Sequence, residues 1–224
     1  MNWKTTLVCS ALAIAPAACD DDSSGDGEEH ADTEDDHGHD HGHDHDHEEE
    51  LITTVTLTFT SEAGDTVTAE FSDPDGEAGN SGTADPIVLA PDTTYTLDIA
   101  LYNDLEDEDV TPEIEAEAEE HQFIIYGDAV TGPGSMGSGV VTHAYADVES
   151  DYGENAVGDD LPVGLSNTIT TTAAGGGEFK VMLRHLPETN DEPQKAAGLA
   201  EDFANGGDPA GATDVDVTFA LTVE

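Results

Sequence analysis

The stretch Leu51-Ile52-Thr53-Thr54-Val55-Thr56-Leu57-Thr58-Phe59 alternates apolar residues with threonine from Thr54 onward. A two-residue period places every second side chain on the same face of an extended chain, so the pattern predicts a β-strand with one buried face. Seven later segments are short and apolar in the same way, and glycine, proline, asparagine and aspartate separate them. These segments are residues 67–71, 94–102, 122–126, 140–146, 165–171, 178–183 and 215–223.

Eight short strands without a repeated helical pattern predict an all-β fold. We expect an antiparallel β-sandwich of the immunoglobulin-like or transthyretin-like kind. One short helix is predicted, with Thr111 as its cap, Pro112 in its first turn, and one or two turns that lead into His121. Residues 187–211 contain many proline, glycine and aspartate residues and are predicted to form a long loop.

The first residues predict export. Residues 1–4 carry one lysine, residues 5–15 are mostly apolar, and Pro16-Ala17-Ala18-Cys19 follows. This order is typical of a bacterial signal peptide that ends in a lipobox, although the usual leucine is Pro16 here. The alternative is ordinary cleavage after Ala18 without a lipid. We therefore predict a signal peptide over 1–18, lipidation of Cys19, a disordered tether over 19–50 and a β-sandwich domain over 51–224. The lipid is expected to be the only membrane attachment.

The charge of the chain excludes several classes of partner. It contains 52 acidic residues and 4 basic residues, which gives a formal net charge of −48. Binding to nucleic acids or to anionic membrane surfaces needs clustered lysine and arginine on the protein, so we expect neither to be a partner. Cations are the partners that this charge attracts.

Five motifs, taken together and in order, are distinctive in this sequence. They are Glu48-Glu49-Glu50-Leu51-Ile52-Thr53-Thr54-Val55, Asp73-Pro74-Asp75-Gly76, Thr93-Thr94-Tyr95, Glu119-Glu120-His121-Gln122-Phe123 and Leu183-Arg184-His185-Leu186-Pro187. Their set resembles a lipoprotein family of Bacteroidota and other marine bacteria, whose members are often labelled "type 1 periplasmic binding fold superfamily protein", and the resemblance covers most of residues 48–224. It implies a secreted lipoprotein and little more about function, because the two-lobed α/β fold in the label does not suit this length or this strand pattern.

Histidine and aspartate dominate the predicted tether. Imidazole is the commonest zinc ligand and also suits copper and nickel, aspartate adds oxygen ligands, and glycine lets the chain wrap around an ion. We therefore predict that the tether captures several divalent ions with interchanging ligands; the alternative is a soluble spacer. The predicted ligands are His30, His37, His39, His41, His43, His45 and His47.

Three histidines remain in the domain. His121 opens a predicted strand after a run of glutamates, and His185 closes another. If these strand ends meet, His121, His185 and Glu119 form a second candidate metal site with an open position; the alternative is a hydrogen-bonded pair, with Arg184 bound to the glutamates. His143 is expected to be a packing residue. Asp73-Pro74-Asp75-Gly76-Glu77 resembles part of a calcium loop, but a turn is the favoured interpretation.

No nucleophile elbow, phosphate loop or zinc-protease helix is present, so we do not expect an enzyme. The sequence predicts a lipid-anchored, metal-binding cell-envelope protein that captures ions, zinc above all, or hands them to a TonB-dependent receptor or a metal transporter. Its location would be the outer membrane, on the periplasmic or surface face. The alternative is a structural or adhesive surface lipoprotein with the tail as a spacer. An exposed patch of aromatic residues would favour this alternative; the candidates are Tyr102, Phe123, Tyr126 and Tyr145.

Overall fold

The alternating stretch that follows Leu51 forms the first strand of a β-sandwich. A computed structural model describes residues 51–76, 82–154, 158–190 and 193–224. The predicted signal peptide, Cys19 and the seven histidines of the tether lie outside the described residues. Within the first strand, Val55, Leu57 and Phe59 are almost fully buried, while the threonines after Thr54 are partly exposed.

The described residues form twelve strands, and all eight predicted strands are among them. The strands are β1 (Thr54–Ser61), β2 (Thr66–Ser72), β3 (Thr83–Ala84), β4 (Ile87–Leu89), β5 (Thr94–Asn103), β6 (Glu108–Asp109), β7 (His121–Tyr126), β8 (Val130–Thr131), β9 (Val141–Tyr145), β10 (Ser166–Thr171), β11 (Gly175–His185) and β12 (Ala212–Val223).

The strands form two sheets. The larger sheet has the order β3-β2-β1-β5-β10-β9-β8, and β6 pairs with β5. The smaller sheet has the order β4-β12-β11-β7. Most pairs are antiparallel, as predicted, but two short pairs are parallel: β4 with β12, and β8 with β9. These two pairs are an addition to the predicted antiparallel arrangement, and their two or three residues carry no sequence signal of strand direction.

Apolar side chains from both sheets share one core. Phe59 of the larger sheet and Phe179 of the smaller sheet have ring centroids 6.0 Å apart. Each fully buried side chain of this size contributes about 1.5–3 kcal/mol through removal of apolar surface from water. The all-β, sandwich-like fold class is therefore confirmed, and the finer assignment to an immunoglobulin-like or transthyretin-like topology stays a prediction.

The described residues contain two α-helices, where the sequence predicted one. The predicted helix is α1 (Thr111–Ala116), and a turn over residues 117–120 leads directly into His121, as expected. Thr111 does not cap it, because its hydroxyl exchanges hydrogen bonds with the backbone of Leu101. Neither helix is long and apolar enough to cross a membrane.

The second helix corrects the prediction of a loop over residues 187–211. Helix α2 (Leu199–Ala204) buries Leu199 and Ala200 against Ile124 and Met182 on the outer face of the smaller sheet. Strand β7 is therefore covered on both faces, which explains why its residues do not alternate between apolar and polar.

Candidate metal centre

The ends of β7 and β11 bring His121 and His185 together. The two residues face each other across the antiparallel pair. Their rings stack with centroids 4.5 Å apart and an angle of 17° between the planes. Each histidine continues a row of core residues, since Phe123 and Leu183, two positions along each strand, are fully buried. The histidine pair therefore ends the inner face of the smaller sheet and is itself almost completely buried, with 0% and 5% exposure.

The turn after α1 supplies two carboxylates. Glu117 Oε2 lies 3.9 Å from His121 Nδ1, and the main-chain oxygen of Glu117 lies 3.2 Å from the same nitrogen. Glu120 Oε2 lies 3.6 Å from His185 Nε2. Both glutamates are partly exposed at the side chain, by 33% and 24%, so the turn lies between the buried rings and solvent.

A third carboxylate reaches the pair from β12. The register of β11 and β12 shifts between Leu183 and Arg184: Leu183 faces Val215, whereas Arg184 faces Thr213. Asp214 is thus the extra residue of a β-bulge, which is a feature that redirects side chains. Its side chain is 0% exposed, and its Oδ2 lies 3.8 Å from His121 Nε2.

Three possible ligand atoms of this group lie close to one another. One ligand atom each from Glu117, His121 and His185 lies within 4.8 Å of the other two. A tetrahedral zinc ion about 2.1 Å from each ligand holds neighbouring ligand atoms about 3.4 Å apart. The three atoms would have to move closer together to reach that spacing. No second group of this kind was found in the part of the chain that the structure describes.

The structure brings together two of the three predicted ligands of this site. Glu119, the predicted acidic ligand, does not belong to the group; it lines a cavity of about 170 Å³ with Glu115, Glu149 and Glu154. Glu117 takes its place, because it precedes His121 by four residues across the helical turn. The alternative interpretation required Arg184 to bind the glutamates. Its guanidinium instead donates to Thr213 and to the carbonyls of residues 209–211.

His143 lies in the larger sheet, away from this group. It is 3% exposed, its Nε2 lies 2.9 Å from Asn167 Oδ1, and its ring packs against Tyr145. Burial lowers the pKa of His143, and the hydrogen bond to Asn167 raises it by a smaller amount. The expectation of a packing residue is confirmed.

The segment that resembles part of a calcium loop is a turn. The Gly76 amide donates to the Asp73 carbonyl oxygen at 3.0 Å, and Gly76 has a φ of +62°. Glu77 lies outside the described residues. The favoured interpretation of this segment as a turn is confirmed.

A buried ion pair fixes the turn that carries the glutamates. Lys195 Nζ lies 2.8 Å from Glu149 Oε1 and donates to the Ala118 carbonyl oxygen at 2.8 Å. Both charged side chains are nearly inaccessible, with exposures of 1% and 3%. Since Ala118 lies between Glu117 and Glu120, this lysine holds the backbone between the two acidic residues of the site.

The aromatic residues that would form an adhesive patch differ in their exposure. Phe123 is fully buried, and Tyr102, Tyr126 and Tyr145 are partly buried. The Tyr145 hydroxyl donates to the Phe123 carbonyl oxygen, and the Tyr126 hydroxyl donates to Asp216. The large apolar side chains exposed among the described residues are aliphatic: Leu51, Val88, Leu105 and Met136. Phe123 therefore does not contribute to an exposed patch, and the three tyrosines expose only part of their surface.

Comparisons with protein-family models, with curated proteins and with solved structures found no match to this chain.

Proposed function

We propose that this protein binds divalent metal ions at the bacterial cell envelope, with zinc as the preferred ion and copper or nickel as alternatives. The observation that carries the proposal is the buried pair of His121 and His185 beside Glu117, which offers two nitrogens and an oxygen within 4.8 Å. Two imidazoles and a carboxylate form a ligand set typical of zinc sites that keep one position open.

The histidine-rich tether supports the same function. Seven of the ten histidines lie between His30 and His47, and six of them alternate with glycine or aspartate from His37 onward. We propose that the tether collects ions through interchanging ligands and that the folded site holds one ion in a defined geometry. An open position would allow the ion to pass to a recipient, such as a TonB-dependent receptor or a metal transporter.

Attachment to the envelope completes the proposal. A signal peptide over 1–18 would export the chain, and a lipid on Cys19 would anchor it. Labelling with a radioactive fatty acid tests the anchor: the label should enter the parent protein and be lost in Cys19→Ser. Equal labelling of both proteins would contradict lipidation at this cysteine.

Titration calorimetry with Zn²⁺ tests metal binding. Three proteins are compared, each spanning residues 20–224: the parent, a tail-substituted protein in which the seven tether histidines are asparagine, and the tail-substituted protein with His121→Ala and His185→Ala. We expect several zinc ions on the parent, one on the tail-substituted protein and none on the third.

A matched control removes a different buried histidine. His143→Gln in the tail-substituted protein should leave the single zinc site intact, because His143 lies in the other sheet. Zinc affinity weaker than micromolar in both the parent and the tail-substituted protein would reject the proposed function.

A further inference from the structure

A cavity of about 170 Å³ lies beside the turn that carries the glutamates of the candidate metal centre. Residues 115–120 form one side of it, and residues of the segment 149–154 form the other. Lys195, which holds the turn, is paired with Glu149 and so cancels only the charge of that residue. Five further glutamates make the lining strongly acidic: Glu115, Glu117, Glu119, Glu120 and Glu154.

Two of these glutamates connect the cavity to the buried histidines. Glu117 Oε2 lies 3.9 Å from His121 Nδ1, and Glu120 Oε2 lies 3.6 Å from His185 Nε2. Both glutamates are partly exposed, whereas the side chain of Asp214, the third carboxylate near the rings, is fully buried. An ion from solvent would therefore approach the rings past the two glutamates, through the cavity that they line.

Acidity alone does not distinguish this cavity from others. A larger cavity, of about 550 Å³, is lined by Glu62, Asp65 and Asp92, and no histidine is among the described residues that line it. It lies at the Thr94 end of β5, whereas α1 contacts the same strand at Leu101, about 20 Å away along the strand. The cavity beside the turn differs because a buried group of two histidines and a glutamate borders it.

We propose that the cavity beside the turn is the loading route of the metal centre. The carboxylates of Glu115, Glu119 and Glu154 attract a hydrated divalent cation into the cavity. Glu117 and Glu120 then pass the ion to the buried histidines. This inference rests on the proposed metal-binding function. A concave acidic wall focuses the field of its charges, which raises the association rate of an oppositely charged ion by about 10- to 1,000-fold.

A loading role has a kinetic signature that a ligand role lacks. Charges at the rim of a site change the association rate and its dependence on salt, whereas loss of a group that contacts the bound ion speeds release. The effect of the rim charges should disappear at high salt, because the Debye length falls from about 30 Å at 0.01 M to about 3 Å at 1 M.

Stopped-flow mixing with Zn²⁺ and a chromophoric zinc chelator tests this role in two triple variants of the tail-substituted protein. Each variant removes three negative charges from the lining of one acidic cavity. The route variant carries Glu115→Gln, Glu119→Gln and Glu154→Gln. The control variant carries Glu62→Gln, Asp65→Asn and Asp92→Asn.

The two variants should differ in the association rate at low salt. At about 0.01 M salt we expect this rate to fall by about 10-fold for the route variant and by less than about 2-fold for the control variant. At about 1 M salt both rates should lie within about 2-fold of the parent. The release rate, measured after transfer into excess chelator, should stay within about 2-fold of the parent for both variants.

Two results from the variants would overturn the inference. An equal fall of the association rate in both variants would show that net charge, and not this cavity, controls loading. Release that is several-fold faster in the route variant would show that its glutamates contact the bound ion. The tail-substituted protein itself gives a check that does not depend on the folding of any variant, since an association rate independent of salt would also contradict a loading route.

Failure of the proposed function would appear differently. The tail-substituted protein would then bind zinc no better than its His121→Ala variant, at any salt concentration. Failure of the loading route alone would leave that difference in affinity intact and remove only the difference in association rate between the route variant and the control variant.

Discussion

Replacement of Lys195 by methionine should be one of the most destabilising single changes in the domain. The ammonium group lies 2.8 Å from Glu149 Oε1, and both side chains are buried. At that distance the attraction is about 6 kcal/mol with an effective dielectric constant of about 20. Lys195→Met removes this attraction and leaves the Glu149 carboxylate buried without its ammonium partner, which costs about 3–5 kcal/mol.

The pKa of Lys195 indicates what a second replacement would do. Burial lowers this pKa, and the attraction to Glu149 only partly offsets the effect. For the Lys195 ammonium group, the cost of removal from water therefore exceeds what the attraction to Glu149 recovers. The double variant Lys195→Met/Glu149→Leu should then regain most of the stability that Lys195→Met loses, because neither charge remains buried.

Urea denaturation followed by circular dichroism measures both effects. With a slope of about 2 kcal/mol per molar urea, a loss of about 4 kcal/mol lowers the midpoint by about 2 M. The reasoning is refuted if Lys195→Met loses less than about 1 kcal/mol, or if the double variant loses as much as the sum of both single variants. Lys180 is partly exposed, its ammonium lies 3.3 Å from Glu178 Oε2, and it provides the control: Lys180→Met should change the stability by less than about 1 kcal/mol.

Three further predictions concern pH, backbone geometry and metal removal. Burial lowers the pKa of His143, so below about pH 6.5 the unfolded chain binds a proton that the folded chain does not, and the folded protein loses stability as the pH decreases. His143→Gln should therefore lose less stability than the parent between pH 7.5 and pH 5, and equal losses in urea denaturation would contradict this. Gly211 has a φ of +79°, and a side chain there would collide with the His185 carbonyl oxygen, so Gly211→Ala should destabilise the fold by about 1–3 kcal/mol and weaken zinc binding. Gly206 has a φ of +88° with open space around it, so Gly206→Ala provides the control and should leave the zinc affinity unchanged. Zinc at 100 times its dissociation constant should stabilise the tail-substituted protein by about 2.7 kcal/mol, so chelation should lower its melting temperature but not that of the His121→Ala variant; an equal shift in both proteins would place the ion elsewhere.

The strands could be predicted because their signal is local. In β1 and β5 every second residue is apolar, and those residues form the core. The strands that were missed, such as β3 and β6, have two residues each and cannot show a period. Helix α2 was missed because only Leu199 and Ala200 are buried, within a segment otherwise rich in proline, glycine and acidic residues.

The site was predictable only where residues lie at strand ends. His121 and His185 begin and end their strands, so pairing of the strands brings them together. Glu117 could have been predicted as well, because it precedes His121 by four residues. Glu119 was predicted only because it belongs to a run of glutamates. The position of Asp214 carries no sequence signal, because alternation with Val215 and Val217 predicts an exposed side chain and only the bulge reverses it.

The acidity of the chain attracts cations but does not select among them. Carboxylates also bind calcium and magnesium and do not select zinc from among them. A net charge of −48 therefore concentrates every cation near the protein. The three basic side chains of the described residues make their contacts with Glu178, with Glu149 and with the carbonyls near Pro209. The fold instead places two histidines beside Glu117, Glu120 and Asp214. Because imidazole nitrogen favours late first-row ions over calcium and magnesium, selectivity in the proposed site would come from the two buried rings, and the surrounding carboxylates would contribute the local charge.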